Sequence, residues 1–173
     1  MMYEESLSMP FLVRLPGGIQ PGSTSADIVL NVDAAPTFLE LAGIEIPEHV
    51  QGRSLLPLLR GDVGDDWPET MYYRYWMHGD GAHNVPAHHG VRTRTHKLLG
   101  YHNDPLGASG PAVEPEWELF DLVADPAEMH NVIADPAYLD VARALRRELA
   151  RLQADVGVEP HAAAQAVLDT LLA

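Results

Sequence analysis

The strongest constraint on this chain lies between Asp135 and Gly157, where Tyr138, Val141, Ala142, Leu145, Leu149 and Leu152 recur at helical spacing. Asp135 can cap such a helix, Pro136 can stand in its first turn without losing a needed N–H, and Gly157 can end it. Arg143, Arg146, Arg147 and Arg151 fall on its solvated side. A helix with one apolar stripe must bury that stripe against another layer, and the preceding sequence can supply strands for it. Met71-Tyr72-Tyr73-Arg74-Tyr75-Trp76 is aromatic enough for a strand, the stretch from His88 to Leu99 offers one or two more, and Trp117-Glu118-Leu119-Phe120-Asp121-Leu122 returns as another. The glycine- and proline-rich stretch from Asn103 to Pro115 reads as a loop. The expected fold class is therefore α+β, with a small antiparallel sheet packed by the C-terminal helix.

Upstream, Met9-Pro10-Phe11-Leu12-Val13-Arg14-Leu15 is apolar except for Arg14 and closes on Pro16-Gly17-Gly18. A short run of this kind predicts a strand buried on both faces, the remnant of a larger α/β sheet. Without neighbours, such a strand would leave an apolar edge open to self-association. Ile28-Val29-Leu30 suggests a brief strand, Asp33 to Gly43 a capped helix, and Ser54 to Leu59 a second short helix. Gly61-Asp62-Val63-Gly64-Asp65-Asp66-Trp67-Pro68 reads as a linker. The expected division is 1–66 as the sheet remnant, 67–158 as the small subdomain, and 159–173 as a tail, helical on Val167, Leu168, Leu171 and Leu172 or frayed.

Charge narrows the partners. The chain of 173 residues carries a formal net charge of -14, which argues against nucleic acid or an anionic membrane as its main partner. Between Arg74 and His102, however, Arg74, Arg92, Arg94 and Lys97 face only Asp80, and six of the nine histidines (His78, His83, His88, His89, His96, His102) fall in this window. A cationic, partly titratable surface inside an acidic protein suits a small anion, although a solvated hairpin would carry the same residues. With no cysteine there is neither a disulfide nor a thiolate ligand. His78, Asp80, His83, His88 and His89 lack the fixed spacing of a dedicated zinc site, and Asp65-Asp66 sits in the linker as a solvated pair, so no metal site is expected. The chain has no apolar run near the 18 or so residues of a membrane span and no signal-peptide start. It reads as soluble, with no compartment indicated.

Several local patterns, in order, resemble the sulfatase family of the alkaline-phosphatase-like superfamily. Tyr3-Glu4-Glu5-Ser6-Leu7 with Met9-Pro10 is similar to its Y-E-E-S-L-R-x-P segment, with Ser8 in place of the usual arginine. Asp33-Ala34-Ala35-Pro36-Thr37-Phe38-Leu39-Glu40-Leu41-Ala42-Gly43 resembles its D-x-x-P-T-x-L-x-L-A-G helix, and Gln51-Gly52-Arg53-Ser54-Leu55-Leu56-Pro57-Leu58-Leu59 its Q-G-x-S-L-x-P-L-L segment. His88, Gly90-Val91-Arg92-Thr93 and Lys97 follow the H-Y-G-V-R-T-x-x-Y-K pattern, with His89 and His96 replacing aromatic positions. Trp117 to Leu122, Asp125-Pro126 and Asn131 complete the series.

The resemblance covers only the family's C-terminal portion and implies a sulfuric ester hydrolase acting on a sulfated small molecule or sugar. A complete member uses a formylglycine made from C/S-x-P-x-R, together with a divalent metal, usually calcium. Here Ser8-Met9-Pro10-Phe11-Leu12 has leucine where the arginine is required, and the metal-binding Asp pair and D-H-G or D-N-G stretch have no counterpart. No catalytic residue, metal ligand or cofactor is therefore expected in this chain, which should be inactive alone. What the resemblance implies is a substrate-binding contribution from His88, Arg92 and Lys97: a guanidinium fork for a sulfate or carboxylate, and an imidazole able, when protonated, to steady an oxyanion. A salt bridge inside the small domain is the alternative use of Arg92. Two other functions fit the same residues, a non-catalytic module binding an anion or a partner and a phosphate or phosphonate ester hydrolase of the same superfamily.

Overall fold

The computed structural model describes residues 1–64, 66–79, 81–82, 84–102 and 114–173. The readings of Asp65, Asp80, His83 and residues 103–113 of the loop lie outside the described residues. Two units are formed, one from Met1–Met9 with Thr70–Ala173 and the other from Pro10–Glu69. The first nine residues thus belong with the sheet, and not with 10–66 as their position in the chain suggested.

In the first unit, the described residues form one antiparallel sheet of four strands in sequential order, β1 (Thr70–Tyr75), β2 (Ala87–Thr93), β3 (His96–His102) and β4 (Glu116–Asp121). The β2–β3 turn is tight, with the Thr93 hydroxyl accepting the backbone N–H groups of Thr95 and His96. The register pairs Tyr75 with His88, His88 with Tyr101, and Arg92 with Lys97. Because side chains alternate across a strand, this register sorts the sheet into two faces.

One face meets the expected helix. A 3-10 turn at Pro136–Tyr138, capped by the Asp135 carboxylate accepting Ala137 N–H, leads into α4 (Leu139–Asp155), which ends at Gly157 with φ 67°. Ala142, Leu145 and Leu149 are buried against Val91, Leu98, Trp117 and Leu119. The tail is helical: α5 (Ala162–Leu171) buries Ala164, Leu168 and the following Leu172 in the same core, and the Trp117 indole donates to the Ala164 carbonyl at 2.7 Å. Leu171, expected on its apolar side, is instead exposed. The other face is covered by the N-terminal segment, where a single turn, α1 (Glu4–Leu7), brings Met2, Tyr3 and Leu7 against Leu99, Tyr101 and Phe120.

In the second unit, the helices α2 (Ala34–Leu41) and α3 (Leu56–Arg60) match the expected pair, and Gly43 and Gly61 end them in left-handed conformations. They are tied by side chains of the quoted motifs. Asp33 accepts the N–H groups of Leu30 (2.8 Å) and Arg53 (3.0 Å), so it bridges two segments instead of capping α2. Thr37 donates to Asp33 O and accepts Leu55 N–H. Gly52 is required there, since φ is 86° and a Cβ would lie 2.6 Å from Val32 O.

The expected strand at 11–15 is not formed, and neither is the brief strand at 28–30. Met9, Phe11 and Leu12 are instead largely exposed. A strand needs a neighbour to satisfy its N–H and C=O groups, and the described residues of Pro10–Glu69 contain none. The exposed apolar surface here is made of side chains, not of the open sheet edge that the sequence suggested.

Candidate functional site

Strand alternation places all three expected site residues, His88, Arg92 and Lys97, on the sheet face covered by the N-terminal segment. They do not act as one group there. Arg92 presents its fork to Glu4, Nε to Oε1 and Nη2 to Oε2, each at 2.9 Å. Lys97, fully buried, donates to Glu4 Oε1 at 2.9 Å and to Glu128 Oε1 at 2.6 Å. Glu128 closes the network by accepting the Glu4 backbone N–H at 2.6 Å.

This four-residue network joins the start of α1, the β2–β3 pair and the turn after β4. Glu128 holds φ at 54°, a left-handed conformation rare for a side chain of its size, and so aims its carboxylate inward. The hydrogen bonds from Arg92, aided by Lys97, hold the Glu4 carboxyl down at about 2. Arg92 and Lys97 thus have internal partners on this face, the use of Arg92 that composition alone left open.

His88 sits in different surroundings. Its ring is buried and stacked with those of Tyr73 and Tyr75, at centroid separations of 5.7 and 5.3 Å, with Tyr101 tilted against it at 5.6 Å. Nδ1 lies 2.8 Å from Pro86 O, so Nδ1 carries the proton and Nε2 is the acceptor. That Nε2 is buried and has no hydrogen-bond partner among the described residues. Burial lowers the pKa of the ring, which favours a neutral imidazole able to accept from a hydroxyl over a cation able to neutralise an oxyanion.

Beside it, Tyr101 donates to Tyr3 Oη at 2.9 Å and Tyr3 donates to Glu118 Oε2 at 3.0 Å. Burial raises all three pKa values, so the two tyrosine hydroxyls keep their protons and donate along the chain to Glu118. Tyr73, Tyr75, Tyr101, Glu118 and Glu128 were not singled out by sequence. The period-2 spacing of Tyr73 and Tyr75 was the available signal for the first two.

On the opposite face, His89, His102 and His161 make a run of ring contacts, with His102 and His161 stacked at 4.5 Å. Burial, reinforced by electrostatic repulsion from His102, Arg74 and His161, pushes His89 down to about 3. No group of three or more His, Asp or Glu among the described residues has metal-binding geometry. These residues therefore give the calcium implied by the resemblance no donor set. No helix among the described residues is long and apolar enough to cross a membrane.

Residues 1–155 match the C-terminal family of N-sulphoglucosamine sulphohydrolase. The chain is 40% identical over 154 residues to an N-acetylglucosamine-6-O-sulfatase of Bacteroides thetaiotaomicron, covering 88% of this chain and 26% of the relative. It is 31% identical over 166 residues to an ulvan-active sulfatase of Formosa agariphila, covering 83% and 32%. Among solved structures, one in complex with its substrate D-glucosamine-2-N,6-O-disulfate is similar at a TM-score of 0.71 and 39% identity, over 81% of this chain and 27% of that one. A phosphonate monoester hydrolase from Silicibacter pomeroyi is similar at 0.65 and 25% identity, over 82% and 28%. The chain therefore spans about a quarter to a third of the length of these relatives.

Proposed function

Because this chain belongs to the sulfatase family, as a C-terminal portion, we propose that it completes an enzyme hydrolysing a sulfate ester on an amino sugar and is inactive by itself. The single observation that carries this reading is the 40% identity, over 88% of the chain, to an N-acetylglucosamine-6-O-sulfatase. Its inactivity alone follows from chemistry. Transfer of a sulfuryl group needs an activated nucleophile and preorganised stabilisation of the developing charge. The sequence has no C/S-x-P-x-R segment and the described residues hold no metal donor set. In a complete enzyme, calcium and formylglycine would be supplied by residues outside this chain.

Within the chain, the roles divide. Arg92 and Lys97 hold the N-terminal segment on the sheet through Glu4 and Glu128. His88, buried against the rings of Tyr73 and Tyr75, is proposed to position those rings from behind and not to touch the sugar itself.

The likeness to a phosphonate monoester hydrolase supports a second reading, the same architecture serving a phosphonate ester. The test is to express the whole reading frame containing this chain and to assay N-acetylglucosamine 6-sulfate and a phenylphosphonate monoester side by side. Faster turnover of the sulfate ester is expected. Preference for the phosphonate transfers the assignment to the second reading, and turnover of neither overturns both.

A further inference from the structure

Outside the sheet face, the molecule concentrates positive charge at one other place. Of its eleven lysines and arginines, Arg143, Arg146 and Arg147 line one open cleft of about 390 Å³ between α4 and α5, with Asp169 and Leu172 as the other lining residues. The sequence put these arginines on the solvated side of α4. It is α5, beyond the residues matched by the family, that turns that side into a cleft.

The three guanidinium groups are used differently. Arg143 donates from Nε (3.1 Å) and Nη2 (2.8 Å) to Leu172 O, taking up a carbonyl at the end of α5 and fixing one wall. Arg146 pairs through Nη2 with Asp169, and its Nε is buried with no hydrogen-bond partner among the described residues. Arg147 is exposed at the rim and has no carboxylate partner among the described residues. The wall itself is stiff, because α5 is held by Leu168 and Leu172 in the core and by the Trp117–Ala164 hydrogen bond.

We propose that this cleft binds a sulfate or carboxylate group carried on a glycan. The Asp169 carboxylate and the Ala173 carboxyl oxygen, 3.4 Å from Arg143 Nη2, stand against three guanidinium groups, which leaves a net positive charge in a chain of net charge -14. Arg147, exposed at the rim and without a carboxylate partner among the described residues, leaves a guanidinium fork open to an oxyanion. The volume falls within the usual range of small-ligand sites, larger than one bare ion needs and suited to a sugar unit bearing the anion. The choice of a sulfated glycan rests on the sulfatase reading, but the site itself rests on the cleft.

The test is a binding titration of the 173-residue chain, followed by amide NMR shifts, with a heparin-derived sulfated tetrasaccharide as probe and inorganic sulfate as the comparison ion. Shifts should centre on Arg143, Arg146, Arg147 and Leu172, and saturate at lower concentration with the tetrasaccharide than with sulfate. Arg147→Gln, at an exposed position and so safe for folding, should weaken tetrasaccharide binding by about fivefold or more, as loss of a charge-assisted contact does. Arg151→Gln, on the same helix but paired with Glu148 and Asp155, should change it less than about twofold. The proposal is overturned by absent shifts in the cleft, by equal losses in the two variants, or by sulfate binding as tightly as the tetrasaccharide. Ester hydrolysis is not read in any arm, so loss of the catalytic reading and loss of this site remain separate results.

Discussion

Replacing Glu128 with glutamine removes one charge from a pair that water barely reaches. The Glu128 side chain is 1% exposed, and Lys97, at 0%, would keep only Glu4 Oε1 at 2.9 Å, an oxygen already accepting from Arg92. Removing one partner of a buried pair costs about 3–5 kcal/mol, and the remaining Glu4 contact puts this case at the lower end, about 3 kcal/mol. In a chain of this length, that lowers the melting temperature by roughly 6–12 °C. Glutamine keeps the shape and can still accept the Glu4 N–H, so the loss reports charge. Urea unfolding followed by far-UV circular dichroism at neutral pH measures it, with the exposed pair partner Arg151→Gln as control at less than about 1 kcal/mol. Lys97→Met combined with Glu128→Gln removes both charges and should cost less than the two single changes added together. A Glu128→Gln loss no larger than that of the Arg151→Gln control would refute the buried network.

Three further outcomes follow from the same packing. The Glu4 carboxyl, held at about 2 against its ordinary 4.5, contributes stability that is fully present above pH 4.5 and fades as pH falls toward 2. Allowing for partial solvent contact this is about 1–2 kcal/mol, and Glu4→Gln should flatten that part of the acid-unfolding curve. Gly90→Ala would drive a methyl group into Leu98 O and to 2.8 Å from Met2 Sδ, and should lower stability by about 2–3 kcal/mol in the same urea assay. Asn131 accepts the N–H groups of Leu119 and Ile133 and donates to Trp117 O, so Asn131→Ala should cost about 2 kcal/mol and speed amide exchange at Leu119.

The elements that were legible in the sequence are those whose signal is local. The apolar stripe of α4, the caps at Asp135 and Gly157, and the aromatic strands each reveal themselves within fifteen residues or fewer. The run at 11–15 carried an equally clear local signal and still formed no strand, because a strand is completed by a neighbour and not by its own side chains. The site was legible in its residue types but not in its partners. Arg92 meets Glu4 across 88 positions and Lys97 meets Glu128 across 31, separations at which no spacing rule operates. Glu4 stood in a quoted motif without any sign that Arg92 and Lys97, in another, were its partners. His88 differs from His89 only in which face the register gives it, toward the tyrosines or toward Trp117. Asn131 likewise was visible as part of a pattern, while its service to the β4 backbone needed the fold.

The most direct measurement is the hydrolysis of 4-nitrophenyl sulfate by the purified 173-residue chain with calcium present, against an enzyme-free blank and a chelator-treated sample. A folded chain with no turnover above the blank is predicted, since under the proposed division the nucleophile and metal donors would lie outside it. Saturable hydrolysis that the chelator abolishes would contradict that division, and would require a catalytic centre among the residues described above.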